Sequence, residues 1–454
     1  MGAEGTKCTK AGAATHMKAA VIAAPSSGSG KTIITLGLLR HFARSNVPVS
    51  SFKVGPDYID PGFHTAASGR HCVNIDGWAM RPDTVAKLFG QVSAYAEVVI
   101  GEGVMGLFDG AQGAAGATSG STADVAATLG LPVILVVDAG AQAQSAAATV
   151  HGFASFRDDV SVAGVIFNRV GSARHAAMLK DATAPLDIPV LGSVPRTPDI
   201  AVPDRHLGLV QASEMAALES FLDAAADLVA AHVDIAGLRD LLADAGPRPG
   251  GVPPQPIPPL GTRIAVASDE AFQFHYRHVL DGWRAADAEF APFSPLADEA
   301  PDAAADVVYL PGGYPELHAG TLAAAGNFLS GLKAAADRGA VIYGECGGYM
   351  VLGEALTDAN GQAHAMTGLL PLETSFYDRK LHLGYREATL RAETPLGPAG
   401  TAFGAHEFHY ASIVREGDAE ALFTARDAAG TDLGQTGLRR GKVMGSFIHL
   451  IDAR

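Results

Sequence analysis

Residues 247–261, PRPGGVPPQPIPPLG, contain seven prolines in fifteen positions. Proline fixes φ and lacks a backbone N–H, so this stretch can neither continue a helix nor occupy a central strand. It reads as an extended, partly stiff linker that divides the chain. On both sides of it, short apolar β-rich runs alternate with helical ones, the pattern of α/β domains with mostly parallel sheets flanked by helices. Before the linker, strands are predicted at 18–24, 49–54, 98–102, 132–138, 162–168 and 190–195, with helices such as 32–44 between them. After it, strands are predicted at 263–268, 307–310, 340–344 and 443–448, and a helix at 322–338. At about 150–200 residues per domain, the 454 residues divide into domains at 17–246 and 262–454. Residues 1–16 are polar and irregular and read as a tag or a disordered extension.

Composition narrows the function classes. The chain carries 33 basic and 48 acidic residues, a net charge of −15. That argues against nucleic acid or an anionic membrane surface as the general partner. No apolar run approaches the roughly 20 residues that span a bilayer, and no secretory signal is visible. Cys8, Cys72 and Cys346 lie too far apart in sequence to suggest a disulfide framework or a zinc site. A reducing cytoplasm is the expected compartment.

Between the first predicted strand and helix runs APSSGSGKT, residues 24–32. A phosphate needs convergent backbone N–H groups, hence a tight glycine-rich turn, and it gains from a helix N-terminus. Gly28, Ser29 and Gly30 would form that turn, Lys31 would reach the β- and γ-phosphates, and the Thr32 hydroxyl would ligate Mg²⁺. Pro25 stands where the standard pattern has its first glycine. KVGPDYIDP (53–61) and GEGVMGLFDG (101–110) end the next two predicted strands, where ligands bind in open parallel sheets. Asp57 and Glu102 there suit a magnesium ion, or cap helices, and Lys53 can neutralise a transferring phosphoryl group.

In the second half, VIYGECGGYM (341–350) is a strand running into Gly-x-Cys-x-Gly and a helix, the cysteine analogue of a nucleophile elbow. Glycines permit the sharp turn, and a helix N-terminus should lower the Cys346 thiol pKa. His449, at the end of the last predicted strand, is the candidate base. Gly312 and Gly313, in PGGYPE (311–316), supply either an ordinary turn or an oxyanion hole.

GSGKT resembles the loop of the dethiobiotin synthetase and partition-ATPase branch of P-loop proteins. The second half resembles a flavodoxin-like class I glutamine amidotransferase domain. Many such domains carry an acid two residues after the histidine, where this chain has Ile451. That departure, with GAHEFHY (404–410) and LGYR (383–386), resembles the cobyrinic and cobyric acid synthases. Taken together, residues 17–454 resemble the cobyrinic or hydrogenobyrinic acid a,c-diamide synthase family, most specifically through KVGPDYIDPGFH and GEGVMGLFDG. The resemblance implies ATP-dependent amidation of two carboxylates of a corrin-ring precursor, with ammonia taken from glutamine. It also implies an adenine contact at Asn168, and Asp57, Tyr58 and Asp109 near the ring substrate and phosphates. A homodimer is compatible with it. The competing readings are a cobyric acid synthase, or a partition-type ATP switch that would have no use for Cys346 and His449. A polycarboxylate ring should need local cations, for which His64, Arg70, Arg379, Lys380 and Arg386 are candidates.

Overall fold

The computed structural model describes residues 17–113, 118–197, 200, 211–215, 217–244 and 256–454. The expected extension at 1–16 and linker residues 247–255 lie outside them. Seven strands build the first sheet: β1 (Lys18–Ala23), β2 (Val49–Val54), β3 (Val73–Ile75), β4 (Val98–Glu102), β5 (Val133–Asp138), β6 (Val162–Val170) and β7 (Val190–Pro195). All pair in parallel, in the order β3-β2-β4-β1-β5-β6-β7, and β8 (Ala243–Asp244) runs antiparallel against β1. The inner strands are nearly continuous Val, Ile, Leu and Ala because helices cover both faces. Helix α1 (Lys31–Arg44) follows β1 directly.

The second domain is a mixed sheet. Its parallel half is β9 (Arg263–Ala267), β10 (Glu289–Phe293), β11 (Val307–Leu310) and β12 (Val341–Glu345), joined by a later strand beside β12. Three short strands follow, β13 (Ala355–Thr357), β14 (Ala363–Ala365) and β15 (Leu372–Ser375), and then β16 (His382–Leu390), β17 (Ala402–His409), β18 (Ser412–Glu416), β19 (Glu420–Asp427) and β20 (Asp432–Arg440). The chain ends in β21 (Val443–Ser446) and β22 (Ile448–Ala453). The sheet order is β10-β9-β11-β12-β21-β20-β19-β16-β17-β22, while β13, β14, β15 and β18 form a separate small sheet. Only Phe447 separates β21 from β22, yet they stand five places apart in the sheet. The antiparallel half must therefore curl until its edge returns to β21. This corrects the predicted strand at 443–448: it breaks at Phe447, and His449 lies in a separate strand that opens at Ile448.

The two domains meet over an apolar seam. A Cβ on Gly404 would lie 2.2 Å from the Ala79 carbonyl oxygen, so backbone meets backbone there. Trp78 stacks on Tyr385 with ring centroids 4.6 Å apart, and the Tyr385 hydroxyl donates to Asp76 at 2.8 Å. Arg81 pairs with the fully buried Asp452 at 2.7 Å. Among the described residues no helix is long and apolar enough to cross a membrane.

Candidate active sites

The loop from β1 into α1 has the shape the sequence predicts. Gly28 and Gly30 take φ of 77° and 92°, which side chains with a Cβ rarely adopt. A Cβ on Gly30 would fall 2.0 Å from Asn168 Nδ2. That amide donates to the Ser29 carbonyl at 2.9 Å, so Asn168 buttresses the loop. No side chain caps α1, so its first N–H groups remain for an anion. Burial, with Lys53 nearby, pushes the Lys31 ammonium below its ordinary value.

Behind the loop lies a buried charge cluster. The Thr32 hydroxyl donates to Glu102 Oε1 at 2.6 Å, Lys53 donates to the same oxygen at 2.9 Å, and His64 Nε2 lies 2.7 Å from Oε2. Lys53 also pairs with Asp60 and lies 4.0 Å from Asp57. Burial opposes each of these charges, and for Lys53, Glu102 and His64 the partners outweigh it. Lys53 stays above its ordinary value through Asp60, Glu102 and Asp57. Glu102 is held well below the usual carboxylate range by Lys53 and His64. His64 is raised to about 10 by Cys72 and Glu102. Burial and the adjacent Asp57 push Asp60 up to about 6.

Two cavities flank this cluster, both of a size suited to small molecules. One, of about 740 Å³, is lined by Gly30, Asp138, Asn168, Arg169 and Arg196 among others. The other, of about 530 Å³, lies between the domains. Asp57, Tyr58, Met105 and Asp109 line it from the first domain, and Phe274, Tyr385, His406 and Phe408 from the second.

Cys346 joins β12 to the helix Gly347–Leu352 with φ 47° and ψ −103°, a strained conformation for a residue with a side chain. The flanking glycines are required: a Cβ on Gly348 would lie 2.0 Å from the Leu310 carbonyl oxygen, and one on Gly344 2.7 Å from the Gly348 backbone. The Gly312-Gly313 turn fits between elbow and histidine. A Cβ on Gly312 would be 2.4 Å from His449 Cε1, and one on Gly347 3.0 Å from the Gly313 nitrogen. The Cys346 sulfur lies 3.8 Å from the Phe408 carbonyl oxygen. Tyr58 reaches across from the first domain and packs its ring on His449 at 4.7 Å, with its hydroxyl accepting from Tyr276 at 2.7 Å. His449 is fully buried, and neither ring nitrogen has a hydrogen-bond partner. Burial, with His406 and His409 nearby, lowers its pKa to about 3, so the ring is neutral.

Residues 20–210 match the CobQ/CobB/MinD/ParA nucleotide binding domain, and residues 263–454 the CobB/CobQ-like glutamine amidotransferase domain. The chain is 55% identical over 439 residues to the hydrogenobyrinate a,c-diamide synthase of Brucella abortus, covering 96% of this chain and 99% of that one. It is 55% identical to the Rhizobium meliloti enzyme of the same name, with 96% and 99% covered, and 54% identical to that of Rhodobacter capsulatus, with 96% and 98% covered. The chain belongs to the hydrogenobyrinate a,c-diamide synthase family.

Within this family member, two sequence expectations need correction. The expected cations do not line the interdomain cavity: among the described residues, none of its lining is Lys or Arg. His64 is spent on Glu102, Arg70 on the Tyr95 carbonyl and Arg386 on Glu407, while Arg379 and Lys380 stay exposed. Cys346 is not lowered by its helix: burial, aided by Glu316, pushes the thiol up, because six residues of helix offer little dipole against full desolvation. Asn168, expected at adenine, lines the larger cavity and also donates an amide N–H to the P-loop. Sequence reading also missed Glu345, whose Oε2 lies 3.8 Å from His449 Nδ1. Its place directly before Cys346 was the available signal.

Proposed function

We propose that this chain amidates the a and c acetate carboxylates of hydrogenobyrinate, consuming ATP and glutamine. The observation that carries the reading is the interdomain cavity. Asp57 and Asp109 line it from the P-loop side, and Phe408, whose carbonyl oxygen touches the Cys346 sulfur at 3.8 Å, lines it from the other. One residue thus separates the ammonia-releasing thiol from the acceptor. The largely apolar walls suit the faces of a macrocycle whose carboxylates reach outward.

The adenosine of ATP fits the larger cavity beside Asn168, with its phosphates over Gly28, Ser29, Gly30 and the start of α1. Thr32 and Glu102 offer the hard oxygen donors that Mg²⁺ prefers, with Asp57 beyond Lys53, and an ion bound there would neutralise phosphate charge. Lys31 and Lys53 hold the transferring phosphoryl group while the carboxylate becomes an acyl phosphate. At the other site, Cys346 attacks the glutamine amide and passes its proton to His449, and backbone N–H groups of Gly312 and Gly313 hold the oxyanion. His449 returns the proton to the departing ammonia, and water then releases glutamate. Ammonia attack on the acyl phosphate gives the amide and phosphate. The cycle then repeats on the second carboxylate.

The test is incubation of hydrogenobyrinate and its cobalt-containing counterpart, side by side, with MgATP and glutamine. Hydrogenobyrinate should yield a product of diamide mass, with ADP formed in proportion. Failure to amidate either ring would overturn the reading.

A further inference from the structure

We propose that Glu345 is the acid that positions His449, taking the place left by Ile451. This rests on the reading of Cys346 as nucleophile. A base that takes a thiol proton at Nε2 needs its Nδ1–H held, so that the tautomer is fixed and the imidazolium is stabilised. Among the described residues, Glu345 is the acid with an oxygen within 4.0 Å of that nitrogen, at 3.8 Å. Ile451, on the same strand, is apolar and fully buried.

The carboxylate is anchored as a positioning group requires. Oε1 accepts from the Tyr343 hydroxyl at 2.9 Å and from the Leu450 backbone N–H at 3.2 Å. Oε2 accepts from the Tyr309 hydroxyl at 2.8 Å. The Leu450 bond ties Glu345 to the residue after His449, and Oε2 keeps a lone pair for Nδ1. Closing the gap takes under about 1 Å, a tightening common when substrate binds. The proton path balances: Cys346 S–H gives its proton to Nε2, Nδ1–H stays on the ring and points at the carboxylate, and Nε2–H protonates the leaving ammonia. Glu345 faces Tyr309, Tyr343, Tyr276, Tyr58, Cys346 and His449, and Lys or Arg is not among the groups that shift it. Burial holds it up at about 7 against the Tyr309, Leu450 and Tyr343 bonds. It must be ionised to act, so glutamine-dependent turnover should rise with pH through about 7.

Glu345→Gln keeps the side-chain shape. It should lower kcat with glutamine by about 10²–10⁴-fold, with KM for glutamine little changed and ammonia-dependent synthesis within about twofold of the parent. Tyr309→Phe removes one donor to the charged form, so the acid limb should move to higher pH with its plateau kept. A glutamine kcat in Glu345→Gln within about threefold of the parent would overturn the proposal. If that variant loses both activities through misfolding, an unmoved acid limb in Tyr309→Phe overturns it instead. Cys346→Ser separates the two readings: persistent glutamine use there would sink the nucleophile assignment rather than the role of Glu345.

Discussion

His64 and His449 are both fully buried, one in each domain, and they end in opposite states. His64 lies 2.7 Å from Glu102 and stays charged, raised to about 10. His449 has no hydrogen bond and is neutral, lowered to about 3. Burial acts against the charge in both cases, and the partner decides. The phosphate end of the molecule is thus a closed network of compensated charge. The thiol end is strained, and its histidine is neutral with hydrogen-bonding capacity left over.

Removing a reacting group should do the most to one end alone. Cys346→Ser is expected to lower glutamine-dependent synthesis by about 10⁴–10⁶-fold while ammonia-dependent synthesis continues. Loss of both in a folded variant would erase the separation between the ends. Lys31→Ala should cut synthesis with either nitrogen source by at least about 10²–10³-fold, since phosphoryl transfer serves both. Normal turnover with ammonia would remove Lys31 from the phosphate site.

Stability should distinguish the two networks next. Glu102→Gln strips the charge that Lys53 and His64 share and should cost about 3 kcal/mol, along with a raised Mg²⁺ requirement. His449→Asn breaks no hydrogen bond and should cost about 1 kcal/mol or less. Chemical denaturation of both variants checks the contrast, and equal losses would refute it.

The smallest expected effect is a pair of opposite pH dependences. His64 has a folded pKa above its ordinary 6.5, so its contribution is complete below 6.5 and is lost as pH rises towards about 10. His449 is depressed, so its contribution is present above 6.5 and is lost as pH falls towards about 3. Melting temperature against pH should therefore flatten on the alkaline side in His64→Gln and on the acid side in His449→Asn. The same flattening in both would contradict the assignment.

Much of the first domain was legible because its signals are local. A parallel strand buried on both faces is a continuous apolar run, and the P-loop lies within one turn, so β1, Gly30, Lys31 and Thr32 could be read directly. Glu102 was legible as a strand-end acid, but its tie to His64 was not, since that contact joins residues 38 positions apart. In the second domain, β12 and the Cys346 elbow were equally local. The antiparallel strands β16, β17, β19 and β20 were not read: they are partly exposed and mix polar with apolar residues, a weaker signal. With it went the break at Phe447, the curl that brings β22 back to the elbow, and the contact of Glu345 with His449. The basic pocket failed for a different reason. Counting charges in sequence cannot reveal which ones are already paired, as Arg386 is with Glu407.

Ammonia made at Cys346 is expected to reach the acceptor through the shared cavity without mixing with solvent. That route is tested most directly by supplying glutamine labelled with heavy nitrogen at its side-chain amide, together with a large excess of ordinary ammonium and hydrogenobyrinate. The mass of the diamide reports the source of each nitrogen. Heavy nitrogen should appear at both new amides in far greater share than dilution into the bulk ammonium would give. A product whose label matches that dilution would contradict it.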